Sequence, residues 1–489
     1  MLSDSGELLA RYAQAMKQKH IHLIGICGTA MASLAGMLKQ RGHRVTGSDA
    51  AAYPPMSDFL ASLAIPVAQP FGERNLQPLP DLVIVGNAIS RGNVELEYVL
   101  DQRLPIQSMA QILHDEFLAG RERLVVAGTH GKTTTSSLLA WLLAEGQRAP
   151  SFLIGGIAEN FASSFALNHG REFIVEGDEY DTAFFDKGPK FLHYFPDGLI
   201  LTSVEYDHAD IYHDLDEVKT AFKRLVNLVP RRGLVVAWDG HVNVEDCIGR
   251  ALCRVERYGF GEASEWRISD VEYSGSTTRW RVSRYAAPWA GLEWQLAGEY
   301  NVLNATAAAA MAAHYGIPME IIAGAVRGFR GVKRRLEVKA KVHGVTIIDD
   351  FAHHPTAIAG TLKALRTRYP GRRLWAILEP RSNTLRRKVF ENELAESLAN
   401  ADQVVLAGVF KSDAIPESER LDSAAVVAKL NTAGTAARHL PDADAIVDRI
   451  APELRQGDIV ALLSNGGFGS IYEKLPRKLA LLHEVSTPA

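Results

Sequence analysis

Apolar residues in this chain gather into short runs, each followed after a turn by a stretch with helical spacing. Runs of that kind are buried on both faces of a parallel sheet, with helices as the returning connections. The first group opens at 20–25 (His-Ile-His-Leu-Ile-Gly), predicts a helix over 31–40, and returns as strands at 44–49 and 82–86. The second opens at 123–128, continues as a helix from Lys132, and adds strands at 173–175, 199–202 and 234–238. It ends in an Ala-rich helix after Asn301 and a helix at 321–329. The third places strands at 336–341, 345–349, 374–378, 404–407 and 458–463. The expectation is an α/β chain of three domains, 1–120, 121–331 and 332–489, with boundaries near Gly120 and Gly331 and a mostly parallel central sheet.

Length agrees with that division, because single cores stop growing at roughly 250–300 residues and this chain has 489. Its 47% hydrophobic and 22% charged residues are those of an ordinary globular protein. A net charge of -4 supplies no field that would collect nucleic acid or an anionic membrane, so any anion must be held by a local site. Neither nucleic acid nor membrane is expected as a partner. Three cysteines, Cys27, Cys247 and Cys253, lack metal spacing and the density of a disulfide framework, which favours a reducing cytoplasm. Residues 1–19 include Asp4, Glu7 and Arg11 and read as an amphipathic lead-in, not a secretory signal. The small apolar run 305–313 is far below the ~20 residues that cross a bilayer.

The chemistry is concentrated at strand ends. Gly128-Thr129-His130-Gly131-Lys132-Thr133-Thr134 lies between a strand and a helix, the context of a phosphate loop. Backbone N–H groups and the helix N-terminus face an anion there, Lys132 adds charge for β and γ phosphates, and Thr133 offers a metal ligand. Val126 stands where the full motif has glycine, so the loop is a variant, set against a chance Gly-Lys-Thr at a helix start. Glu176 ends the next strand and is placed to hold Mg²⁺, a hard cation that prefers oxygen; Asp178, Glu179 and Asp181 after it either assist or simply solvate a loop. A third strand end carries Glu205, Asp207, His208 and Asp210, with His208 as candidate ligand or structural residue. Asn301 and Asn304 share a helical face and either bind nucleotide or cap the helix. Lys333-Arg334-Arg335 is a cationic cluster, either solvated or answering a phosphate. Asp349-Asp350-Phe351-Ala352-His353-His354-Pro355 follows a further strand.

The first turn, Gly25-Ile-Cys27-Gly28-Thr29-Ala30-Met31, lacks two glycines of the dinucleotide fingerprint, which weakens an oxidoreductase reading. It can still hold a pyrophosphate at a helix N-terminus, and Asp49 could accept from a ribose hydroxyl. Cys27 has no base partner in sight and reads as packing.

In order, the phosphate loop, Glu176, Asp207-His208, Asn301 with Asn304, Arg335 and Asp350-Phe-Ala-His-His-Pro resemble the signature of the Mur ligase family over nearly the whole chain. The resemblance implies an N-terminal Rossmann-like domain for a UDP-sugar, a central ATPase domain, and a C-terminal Rossmann-like domain that closes over the site. The turn Gly-Ile-Cys-Gly-Thr, the segment 176–186, Tyr53-Pro-Pro-Met and Asn87-Ala-Ile-Ser-Arg-Gly-Asn look like the branch that joins L-alanyl-γ-D-glutamyl-meso-diaminopimelate to UDP-N-acetylmuramate in peptidoglycan recycling. The alternatives are the L-alanine-adding branch, which more usually reads Glu-Ala-Asp-Glu-Ser-Asp at 176–181, and a non-catalytic sensor of UDP-muramyl compounds. Tyr300 and Phe351 depart from the family's usual His and Tyr. What the resemblance implies for the site is ATP with Mg²⁺. Thr133 and Glu176 would hold one Mg²⁺ and His208 a second, Lys132 and Arg335 would lie on the phosphates, and Asp350 on the ribose. Gly28, Thr29, Ala30, Met31, Ser48, Asp49, Asn87, Ala88 and Ile89 would take the UDP-sugar, with Arg381 and Ser464, assisted by Asn465, reading the tripeptide. Lys223 lies where some branches carry a carbamylated lysine, but Lys219 and Arg224 beside it suggest a solvated face. A monomer or weak homodimer is expected.

Overall fold

A computed structural model describes residues 18–52 and 56–484. The lead-in segment and Tyr53-Pro-Pro of the quoted motif lie outside the described residues. The chain forms two compact units, one of residues up to 125 with 148–155 and 164–197, the other of 126–147, 156–163 and 198 onward. The division falls within the strand Glu122–Ala127.

In the first unit the strands are ordered Val67–Ala68, Arg44–Ser48, His20–Ile24, Leu82–Val85, Ile106–Ser108, all parallel. The order reverses at His20–Ile24, which pairs with Arg44–Ser48 on one side (Ile24↔Ser48) and Leu82–Val85 on the other (Ile24↔Val85). Ligands of open α/β sheets bind at such a reversal, outside the carboxyl ends of the strands. Ile24, Val83, Val85, Leu96 and Val99 form a core beside it. The same unit holds Glu172–Gly177, parallel to the start of Ser151–Ala158 in the register Ser151↔Phe173.

In the second unit Gly198–Leu201, Leu234–Trp238 and Arg254–Gly259 run parallel, and Arg254–Gly259 continues into an antiparallel ribbon of Trp266–Ser274, Thr277–Arg284 and Ala287–Trp294. The sequence reading gave no strand for that ribbon. Its signal is alternation, Trp266 and Ile268, Trp280 and Val282, Leu292 and Trp294 turned inward between the exposed Arg267 and Arg281 and the half-buried Glu293. Glu299–His314 is buried nearly all round; its small side chains let it lie close against Lys132–Glu145. A six-stranded sheet follows in the order Glu337–Val342, Val345–Asp350, Ile459–Leu463, Leu374–Leu378, Gln403–Ala407, Ala436–Leu440, parallel except for the first strand. Apolar clusters cover both of its faces. No helix among the described residues is long and apolar enough to cross a membrane.

Candidate active site

The strand Glu122–Ala127 delivers the chain into a loop that only glycine permits at two points. Gly128 has φ +134°, and a Cβ on it would fall 2.1 Å from Thr202 Oγ1. Gly131 has φ +82°, and its Cβ would fall 2.4 Å from Asn304 Oδ1. Both are left-handed backbone, costly for other residues. Val126 is interior to the strand and fully buried, so the variant position belongs to the sheet. The Thr129 amide donates to Ser203 O at 3.0 Å, the His130 amide to Ser203 Oγ at 3.0 Å, and Thr202 Oγ1 donates to His130 O at 2.5 Å. The end of the strand Gly198–Leu201 thereby braces the loop.

Lys132 curls back, its Nζ donating to Gly128 O at 2.6 Å. Thr133 and Thr134 begin the helix Lys132–Glu145 and are buried. Arg335 reaches Thr133, donating from Nη2 to Oγ1 at 3.3 Å while its guanidinium lies 4.9 Å over the Phe351 ring. The two amides divide their work: Asn301 donates to Ala297 O at 2.8 Å, and Asn304 faces the phosphate loop. Asp350 is 4% exposed; Oδ2 accepts from the Leu336 amide, Oδ1 from the Ala352 amide and the Thr361 hydroxyl. Burial raises its pKa, against the opposing charge of Arg335.

Beside the loop stands Glu205, which the sequence reading quoted but gave no role. Its Oε2 accepts from Thr356 Oγ1 at 2.6 Å and lies 3.4 Å from His130 Nε2 and 3.6 Å from His354 Nδ1; Oε1 lies 3.7 Å from His241 Nε2. Burial pushes the Glu205 carboxyl upward, but hydrogen bonds from His130 and His241 prevail and hold it well below the usual range. Burial depresses His354 to about 4. His130, Glu205 and His354 are a group close enough to hold a metal ion, their ligand atoms within 4.8 Å of one another. Two imidazoles and one carboxylate suit a transition metal better than Mg²⁺. His354 is already engaged, Nε2 with Tyr206 O at 3.2 Å and Nδ1 accepting from the Thr356 amide at 3.3 Å.

His208, in left-handed backbone at φ +55°, lines a cavity of about 410 Å³ together with His353, Arg381, Arg386, Lys411 and Asn465. Asp207 Oδ1 accepts from the Thr384 hydroxyl at 2.6 Å and the His208 amide at 2.7 Å. Burial would raise its carboxyl, but the charges of His208, His353 and His354 bring it well below the usual range. Arg381 is on the cavity wall. Ser464 is fully buried with its hydroxyl donated to Glu379 at 2.5 Å; its neighbour Asn465 takes the lining position.

In the first unit, Gly28 caps the helix Thr29–Gln40, with Gly28 and Thr29 exposed, Ala30 half-buried and Met31 buried. Asp49 braces this turn: Oδ2 accepts from the Cys27 amide and Oδ1 from the Ala50 amide, both at 2.8 Å. Burial and Asp49 push the Cys27 thiol up to about 11, which leaves it unreactive at neutral pH. Ser48 is fully buried and donates to Glu95, so its hydroxyl serves the interior. Asn87 and Ala88 are exposed on the turn after Leu82–Val85, while Ile89 is buried against Gly25. Glu176 is 9% exposed, its Oε1 accepting from the Gly155 amide at 2.6 Å. In the segment after it, Asp181 pairs with Lys187 at 2.5 Å and Asp186 with His193 at 2.7 Å. Lys223, in the second unit, pairs with Asp246 at 2.9 Å.

Comparison with known proteins agrees with this arrangement. Three family models match: "Mur ligase family, catalytic domain" over 20–120, "Mur ligase middle domain" over 126–312, and "Mur ligase, glutamate ligase domain" over 334–466. The chain is 41% identical to the UDP-N-acetylmuramate--L-alanyl-gamma-D-glutamyl-meso-2,6-diaminoheptandioate ligase of Escherichia coli, over 94% of this chain and 98% of that one. It is 40% identical to the ligase of the same name from Haemophilus influenzae, over 95% and 100%. The crystal structure of a murein peptide ligase from Psychrobacter arcticus superposes with a TM-score of 0.74 at 36% identity, covering 94% of this chain and 99% of that one. With its phosphate loop and this breadth of likeness, the chain belongs to the Mur ligase family of ATP-dependent amide-forming ligases and has that family's three-domain α/β fold.

Proposed function

We propose that this chain joins L-alanyl-γ-D-glutamyl-meso-diaminopimelate to UDP-N-acetylmuramate through an acyl phosphate, in the recycling of peptidoglycan. Relatives at 40–41% identity over almost their whole length carry that activity in their names. The observation that carries the reading is the Arg335–Thr133 contact, which brings a cation from the six-stranded-sheet region onto the first turn of the phosphate-loop helix. The difficulty of this reaction is gathering anions, and fixed positive charge removes it.

The lactyl carboxylate of the sugar attacks the γ-phosphorus of ATP, and the bond to the β-γ bridging oxygen breaks to release ADP. The peptide's α-amine then attacks the acyl carbon, loses a proton, and expels inorganic phosphate. Lys132 leaves Gly128 O to meet the β and γ oxygens, and the N–H groups at the helix start, 131–133, donate to the phosphates, while the Thr129 and His130 amides brace the loop against Ser203. Arg335 closes over the transferring group. Asp350, buried and braced, orients the entry to the third sheet, and a ribose hydroxyl is its assigned ligand. Thr133 and Glu176 would hold one Mg²⁺ and His208 a second; a buried hydroxyl and a buried carboxylate suit a hard cation, which neutralises phosphate oxygens when bound. The turn at 28–31, with Asp49, Asn87, Ala88 and Ile89, takes the UDP-sugar at the reversal of the first sheet. Ser48 supports the start of that turn through its carbonyl, which accepts from the Gly25 and Ile26 amides.

The same proposal divides the chain near Gly120 and Gly331 and places it in the cytoplasm as a monomer or weak homodimer. The decisive assay is phosphate release with UDP-N-acetylmuramate, ATP and Mg²⁺, comparing the tripeptide with L-alanine. Release with the tripeptide supports the reading; release only with L-alanine assigns the chain to the L-alanine-adding reaction, and binding without release makes it a sensor.

A further inference from the structure

The cavity beside His208 is electrostatically incomplete. Three cations, Arg381, Arg386 and Lys411, face one carboxylate on its wall, and that carboxylate, Asp207, is already satisfied by Thr384 and the His208 amide. Arg386 has only neutral acceptors: Nη2 donates to Asn383 Oδ1 at 2.6 Å and Nη1 to Phe410 O at 3.2 Å, while Nε is buried without a partner. Burial, then the charges of Arg387 and Arg381, push its pKa down, with Asp210 opposing. Asp210 is itself bonded to Asn383 Nδ2 at 2.7 Å. Arg381 lies 3.7 Å over the Phe410 ring and 3.5 Å from Glu379, whose other oxygen holds Ser464. It fits there because residue 466 is glycine; a Cβ would fall 2.0 Å from its Nε. Lys411 is exposed in left-handed backbone at φ +47°, the kind of strain that collects at ligand sites. Asn465 Oδ1 is buried and makes no hydrogen bond.

A cationic wall on which only Arg381 is paired with a carboxylate, with an orphan donor and an orphan acceptor, calls for a ligand with several negative charges and a donor. The acceptor tripeptide has three carboxylates and, besides the reacting amine, a second ammonium on its last residue. L-Alanine has one carboxylate. We propose that Arg386 and Lys411, with Arg381, form the receptor that selects a polycarboxylate peptide over a single amino acid, and that Asn465 accepts from its distal ammonium. The inference rests on the peptide-ligase reading and names the residues that determine its specificity.

The test is phosphate release with three acceptors, the tripeptide, L-alanyl-γ-D-glutamate and L-alanine, on the full chain and its Arg386→Gln, Arg386→Lys and Lys411→Gln variants. Loss of a charge-assisted contact predicts a rise of ~tenfold or more in KM for the tripeptide in Arg386→Gln. A smaller rise is expected in Lys411→Gln, partial recovery in Arg386→Lys, and KM values for ATP and UDP-N-acetylmuramate within about twofold of the parent's in all three. Because Lys411 is exposed, its variant keeps the test readable if Arg386→Gln fails to fold. An unchanged tripeptide KM in both glutamine variants overturns the proposal, as does an equal rise in KM for ATP or the UDP-sugar, which would assign the cations to phosphate. If the parent itself turns over no peptide, the functional reading fails; if it does and the variants match it, only the selectivity assignment fails.

Discussion

Arg335 donates to the Thr133 hydroxyl at 3.3 Å, across 202 positions of sequence. The contact ties the phosphate-loop helix to the segment that enters the six-stranded sheet, and the proposed function requires it to set a cation on the phosphates. Arg335→Ala is expected to lower kcat by about 10²–10³-fold, the range lost when a preorganised cation or donor is removed from such a transition state. Arg335→Lys should recover little of it, because a point charge does not reproduce the planar fork. Steady-state phosphate release, with the unfolding midpoint as control, checks this.

Lys132 sits with its ammonium on Gly128 O, an internal acceptor that nucleotide replaces under the proposed function. Lys132→Ala should cost about 3–4 kcal/mol of transition-state stabilisation, read from kcat/KM for ATP. The protein should remain folded, since the helix and its burial do not depend on the ammonium.

Gly131 has neither the backbone angle nor the space for a side chain. Gly131→Ala is expected to destabilise the fold by about 1–3 kcal/mol through left-handed strain, and to displace Asn304. Calorimetry reads the first effect; a raised KM for ATP reads the second.

His354 is depressed to about 4, chiefly by burial, from an unfolded value near 6.5. Above pH 6.5 it is neutral in both states and costs nothing. As pH falls from 6.5 to 4 the unfolded chain takes up a proton that the folded one refuses, so stability drops, on the order of 3 kcal/mol for this group. His353 is lowered in the same direction by burial and adds to the slope. Denaturation midpoints between pH 7 and 4 should fall, and His354→Gln should flatten the curve.

The strands, the phosphate loop and the order of the motifs were legible because each is local, an apolar run ending in residues whose chemistry needs a strand end. The ribbon 266–294 was not. Its strands are half exposed, and Arg267, Arg279 and Arg281 break any continuous apolar run, so only the alternating tryptophans record it. Glu205 escaped notice as a site residue because an acidic residue after a strand reads as solvated; folding alone brings His130, His241 and His354 to it. At the end of Ile459–Leu463 one position separates the buried Ser464 from the lining Asn465, a distinction set by the pleat and beyond residue type. Arg386 and Lys411 lie in irregular loops, where no periodicity points to a shared cavity.

The acyl phosphate is tested most directly by isotope transfer. UDP-N-acetylmuramate labelled with ¹⁸O in its lactyl carboxylate is turned over with ATP, Mg²⁺ and the tripeptide, and the inorganic phosphate is weighed by mass spectrometry. The account predicts one ¹⁸O in each phosphate released with amide formation. Phosphate carrying only solvent or ATP oxygen would contradict it.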